Sequence, residues 1–87
     1  MEIGIVGYGQ MGKFMASLLS PLFADIKCYD PKHNLEKEIK NPNVTFSTLK
    51  ETCLCDIVFL FPPISEFRQC CQSISRLIQP EAIVVES

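Results

Sequence analysis

The apolar positions along the chain change period several times, and each change marks an element. Ile3 to Val6 is a continuous apolar, β-branched run, the pattern of a strand covered on both faces. It ends at Gly7. From there the apolar residues fall at Met11, Phe14, Met15, Leu18 and Leu19. That helical spacing predicts a helix stopped before Pro21 with these five as its buried face. Asp25 to Asp30 reads as a second strand, closed by Pro31, which cannot donate into a central ladder. Residues 32–43 are polar and read as a solvated connection with one helical turn around Leu35 to Ile39.

The second half repeats the alternation. Val44 to Phe46 is a short third strand, and Ser47 or Thr48 caps a brief helix through about Cys53, with Glu51 placed to complete the cap. Asp56 to Phe61 is a second fully apolar strand that runs into Pro62 and Pro63. After them Ser65 caps a helix whose buried face is Phe67, Cys70, Cys71, Ile74, Leu77 and Ile78, and Ala82 to Val85 closes the pattern as a fifth strand. Strands alternating with helices at this interval predict an α/β fold, a parallel sheet covered on both faces. No internal repeat or interior domain boundary interrupts it, so a single small domain is expected.

Composition narrows the function. The chain has 87 residues, 47% of them hydrophobic, enough for one core. A domain this small buries only about 60% of its unfolded surface and is marginal unless tightly packed. A net charge of -2 without a basic run speaks against nucleic acid as a partner. The start lacks the features of a signal peptide and no stretch approaches a membrane span, so a cytoplasmic protein without a membrane partner is expected. Five cysteines, Cys28, Cys53, Cys55, Cys70 and Cys71, match no zinc or redox spacing and read as reduced, small apolar core residues. A fifth strand at a sheet edge would recruit neighbours, which makes a homo-oligomer possible.

The chemistry is concentrated in GYGQMG, residues 7–12. A G-x-G-x-x-G spacing alone is weak, but this one leaves a strand, opens a helix, and is followed by Asp30 at the end of the next strand. Gly7 permits the tight turn, Gly9 lets a pyrophosphate reach the main chain, and Gly12 lets the helix pack closely. The amides around Gln10 and Met11 then face an anion at the positive end of the helix, with Tyr8 among the residues expected to bind the cofactor. Asp30, followed by Pro31, would accept hydrogen bonds from the adenosine ribose, which favours NAD, while Lys32 and His33 leave NADP possible. These features predict a Rossmann-type doubly wound sheet of order 3-2-1-4-5, with Phe61, Pro62 and Pro63 walling the dinucleotide where the fourth strand meets the crevice.

GIVGYGQMGKFMASLL, Asp30, the strand closing in FPP and the final AIVVES together resemble the N-terminal dinucleotide-binding domain of prephenate and arogenate dehydrogenases. The resemblance implies an NAD(P)-dependent oxidoreductase of tyrosine biosynthesis, with Glu86 and Ser87 beginning its substrate-side motif. It places the catalytic histidine beyond residue 87, so no catalytic residue is expected within the chain, and these residues alone should bind a cofactor without turnover. His33 follows the second strand at the adenosine end and is not that base. The Met before the third glycine is also similar to β-hydroxyacid dehydrogenases of the 3-hydroxyisobutyrate type. A third resemblance is to the non-catalytic NAD-sensing domains of potassium transport systems.

Overall fold

The computed structural model describes residues 1–31, 41–61 and 72–86. Five strands, β1 (Ile3–Val6), β2 (Ile26–Tyr29), β3 (Val44–Phe46), β4 (Ile57–Leu60) and β5 (Ile83–Glu86), form one sheet in the order β3-β2-β1-β4-β5. Every pairing is parallel, with Ile3 opposite Ile26 and Ile57, Ile26 opposite Val44, and Ile57 opposite Ile83. The doubly wound α/β sheet expected from the sequence is therefore present, with the expected strand order. Asp25, Asp56 and Ala82 fall just before their strands, and Asp30 and Phe61 just after theirs.

Two helices are complete among the described residues: α1 (Gln10–Leu19) and α2 (Leu49–Cys53). Residues 72–75 are also helical. Thr48 caps α2, its hydroxyl accepting from the Glu51 N–H at 3.1 Å, one of the two caps that the sequence offered. The helical turn expected around Leu35 to Ile39, the Ser65 cap, and Phe67, Cys70 and Cys71 lie outside the described residues.

Period-two alternation in the strands divides the core in two. Ile3, Ile5, Ile26, Cys28 and Val44 face α1 and gather with Tyr8 and Ala16. Val6, Val58 and Leu60 face the other way and pack with Cys53 and Cys55, and with Ile74 from the later helical residues. Leu77 and Ile78 border this second core, as their spacing predicted. Cys28, Cys53 and Cys55 are buried, consistent with apolar packing. Burial pushes the Cys28 thiol up to about 12 and that of Cys55 up to about 11.

The buried face of α1 corrects the sequence reading. Met15 and Leu19 do turn inward, but the fully buried residues are Gly12 and Ala16. Met11, Phe14 and Leu18 stand outside, 50, 56 and 51% exposed. The reason is distance. A Cβ added at Gly12 would lie 2.1 Å from the Gly7 carbonyl oxygen and 3.5 Å from Ile5 Cγ2, so only a helix face of small residues can come this close to β1. The broad side chains are displaced to the flank.

On the opposite face the same device recurs. A Cβ at Gly4 would lie 2.2 Å from the Thr52 carbonyl oxygen, so the backbone of α2 rests directly on β1. Beside it, at the amino ends of the strands, Glu2 donates its N–H to Asp56 Oδ2 at 2.8 Å and Lys27 pairs with the Glu2 carboxylate. That hydrogen bond raises the Lys27 ammonium above its ordinary range, against a lesser desolvation that lowers it.

Candidate cofactor site

Parallel strands put all their carboxyl ends on one edge of the sheet. Between β1 and β4 the order reverses, so the segments leaving these two strands diverge and open a crevice. The loop leaving β1 is GYGQMG. Phe61 leaves β4 beside it, its N–H donating to the Val6 carbonyl at 2.8 Å and its ring stacked on Phe59 with centroids 6.2 Å apart. The structure thus brings the Phe61 main chain beside Val6, the residue before the glycine loop. Pro62 and Pro63, assigned to the same wall, lie outside the described residues, as do Lys32 and His33, which left NADP open.

Each glycine of the loop has a separate geometric task. Gly7 has a φ of 96°, the only positive φ among the described residues, and turns the chain out of the strand. Gly12 gives the close approach described above. Gly9 differs from both: it is exposed, and a Cβ built there would meet nothing within 4 Å. Packing does not require glycine at this position. The open volume in front of its backbone is what a pyrophosphate needs, since a side chain there would occupy the ligand's place.

Gly9 is also the N-cap of α1, with extended backbone and no side-chain cap. The first intrahelical bond runs from Lys13 N to Gly9 O at 2.9 Å, so the amides of Gln10, Met11 and Gly12 come before it. Gln10 and Met11 are exposed, and the first turn carries no acidic side chain that would repel an anion. The main chain here thus combines amide donors with the positive end of the helix dipole.

The acidic residue stands next to this loop. Asp30 ends β2, is only 7% exposed, and accepts the Tyr8 N–H on Oδ2 at 2.7 Å. Pro31 follows it in an exposed turn. Tyr8 itself is 8% exposed, its ring lying in the first core and its face 5.9 Å below the Lys13 ammonium. Reading the sequence alone assigned Tyr8 and Asp30 to one site but missed that they are bonded to each other. Gly4 was missed as well, although an isolated glycine inside a strand signals close backbone approach. Among the described residues no group of His, Cys, Asp and Glu is arranged to hold a metal ion, and no helix is long and apolar enough to cross a membrane.

The residues present fit a dinucleotide: an open glycine, a helix start lined with amides, and a carboxylate at the end of the adjoining strand. The comparison with family models agrees with that fit. Residues 1–79 match the model described as D-isomer specific 2-hydroxyacid dehydrogenase, NAD binding domain. No curated protein matches the chain. The match corrects the sequence reading in one respect. A dehydrogenase domain that binds NAD is upheld, but the family is not that of the prephenate and arogenate dehydrogenases, whose likeness rested partly on Pro62, Pro63 and Ser87, outside the described residues. With nine tenths of its length matched and the nucleotide cradle in place, the chain belongs to the NAD-binding domain family of the D-isomer specific 2-hydroxyacid dehydrogenases.

Proposed function

We propose that this domain holds NAD for an oxidoreductase that moves a hydride between the nicotinamide and the hydroxyl-bearing carbon of a 2-hydroxy acid. The observation that carries the reading is Gly9, whose missing side chain leaves space on the solvent side of the loop, where packing gives no reason for a glycine. The main chain of Gly9 to Gly12 would receive the two phosphates. Asp30 would meet the adenosine ribose, where its negative charge disfavours a 2'-phosphate and so favours NAD over NADP. Phe61, and with it Pro62 and Pro63, would border the crevice toward the nicotinamide.

When bound, the nicotinamide supplies the hydride chemistry, and the protein's part is to bind, orient and shield it. Proton transfer at the substrate needs a group near the reacting carbon. The one histidine of the chain, His33, comes three positions after Asp30 in the sequence, the residue assigned here to the ribose, which supports a reading in which another part of the enzyme provides that group. Self-association through β5, an edge strand with Ile83, Val84 and Val85 exposed, is part of the same proposal.

Titration calorimetry of the 87-residue chain with NAD and with NADP tests the cofactor reading. Binding of NAD with weaker binding of NADP is the expected result. A folded chain that takes up neither would overturn it, and a preference for NADP would remove the role given to Asp30.

A further inference from the structure

We propose that Asp30 is a positioning residue for the phosphate loop, so that one carboxylate both sets the loop and reads the ribose. The inference rests on the NAD reading for its second half only. Its first half stands on geometry.

The loop is costly to hold. Gly7 and Gly9 lose more conformational freedom on ordering than any other residue type would, and Gly7 must be kept at a φ of 96°. Three contacts bear on this. The Gly7 N–H donates to the Tyr29 carbonyl at 2.8 Å, continuing the β1–β2 ladder by one residue. The Tyr8 ring is anchored in the core beneath Lys13. Between them the Tyr8 N–H, buried and therefore in need of an acceptor, donates to Asp30 Oδ2 at 2.7 Å.

Tyr8 lies between the two glycines: its bonded amide fixes the Gly7–Tyr8 peptide plane, and its anchored ring limits the turn of the next plane, which leads to Gly9. A bond to a charged acceptor is roughly twice as strong as a neutral one, which suits this task. A carboxylate offers about four acceptor positions, so accepting from Tyr8 does not exhaust what Asp30 can offer a ribose. The structure therefore couples the two halves of the nucleotide site. Removing Asp30 should weaken ligands that carry no ribose hydroxyl at all, which a residue acting on the ribose alone cannot do.

The test compares wild type, Asp30→Ala and Asp30→Asn in the full 87-residue chain. Asparagine keeps a carbonyl oxygen for the Tyr8 N–H while discarding the charge. Two readouts are taken: hydrogen exchange of the Tyr8 amide by NMR without ligand, and affinity for ADP and for 2',3'-dideoxy-ADP, which keeps the diphosphate and lacks both ribose hydroxyls. For Asp30→Ala, Tyr8 protection should fall by about tenfold or more, since the lost bond is buried and charge-assisted. Affinity for the dideoxy ligand should fall with it, by about fivefold.

For Asp30→Asn, whose neutral oxygen makes the weaker bond, protection should fall by only about threefold and dideoxy-ADP affinity should stay within about twofold of wild type, while the preference for ADP over its dideoxy form shrinks. Unchanged Tyr8 protection in Asp30→Ala would overturn the proposal, as would a loss of ADP affinity with dideoxy-ADP binding intact. If Asp30→Ala does not fold, Asp30→Asn decides: failure to keep the dideoxy affinity sinks the clamp. If wild type binds neither ADP nor NAD, the cofactor reading fails, and the exchange rate of Tyr8 still decides whether Asp30 sets the loop.

Discussion

On both faces of β1 a helix comes so near that glycine is demanded: α1 at Gly12, where an added Cβ would lie 2.1 Å from a backbone oxygen, and α2 at Gly4, where it would lie 2.2 Å from one. The two faces are otherwise built alike, each with aliphatic side chains from alternate strand positions and each with a buried free thiol, Cys28 on one and Cys55 on the other. They differ in where along the strand the contact falls. Gly4 is met in mid-strand, and its helix serves packing alone. Gly12 is met past the strand's carboxyl end, where Gly7 has turned the chain and Gly9 opens onto solvent. Close packing is thus shared by the two faces, and what makes one of them a site is the glycine that packing does not require.

Substitution at the two packed glycines tests the likeness. Gly12→Ala and Gly4→Ala should each destabilise the domain by roughly 3 kcal/mol, because the clash is with main chain and one helix must move. Urea unfolding would measure this, and a cost under about 1 kcal/mol at either position would show that its helix is not pressed on the strand. Gly9→Val tests the difference. Its stability should stay within about 0.5 kcal/mol of wild type, while NAD affinity should fall by about a hundredfold. A variant that kept its affinity would place the phosphates elsewhere, and one that unfolded would return Gly9 to the packing class.

The two thiols offer a smaller, pH-dependent comparison. Both have folded values raised above the ordinary 9.0 of a thiol, to about 12 for Cys28 and about 11 for Cys55, because burial disfavours the thiolate. Their contribution to stability is complete below pH 9 and is lost as pH rises toward those folded values, since the unfolded chain ionises first. By pH 10 each thiol should have cost about 1 kcal/mol. Melting temperatures of wild type and Cys28→Ala at pH 8 and pH 10 would check it. An equal alkaline loss in both proteins would mean that Cys28 is not held neutral by the core.

Much of the fold was legible because its strands are short apolar runs bounded by residues that end them: Asp30-Pro31 after β2, Asp56 before β4, and Gly7 after β1. The Thr48 cap and the inward placement of Ile74, Leu77 and Ile78 were legible for the same reason, a local signal with a local cause. The packing of α1 was not. Hydrophobicity weights large side chains, so Met11, Phe14 and Leu18 outweighed Gly12 and Ala16, although the helix sits closer to the sheet than large residues allow. The geometry of the glycine loop, with its turn at Gly7, its open Gly9 and its close approach at Gly12, was legible from spacing and context together. The bond between Tyr8 and Asp30 was not, since it joins a backbone donor to a carboxylate 22 positions away and leaves no periodic trace. The nearer choice between dehydrogenase families also failed, because the fingerprint reports how a dinucleotide is held and says little about what it oxidises.

The flank of α1 has a practical consequence at the bench. With Met11, Phe14 and Leu18 turned to water along one side of the helix, and Leu22 exposed just beyond it, the native molecule offers an environment-sensitive dye somewhere to settle before any heat is applied. A melting curve followed by such a dye will start bright and report the wrong event. Having no tryptophan, the domain is better followed through the ellipticity of its main chain, or through its two tyrosines, Tyr8 packed in the first core and Tyr29 against the second.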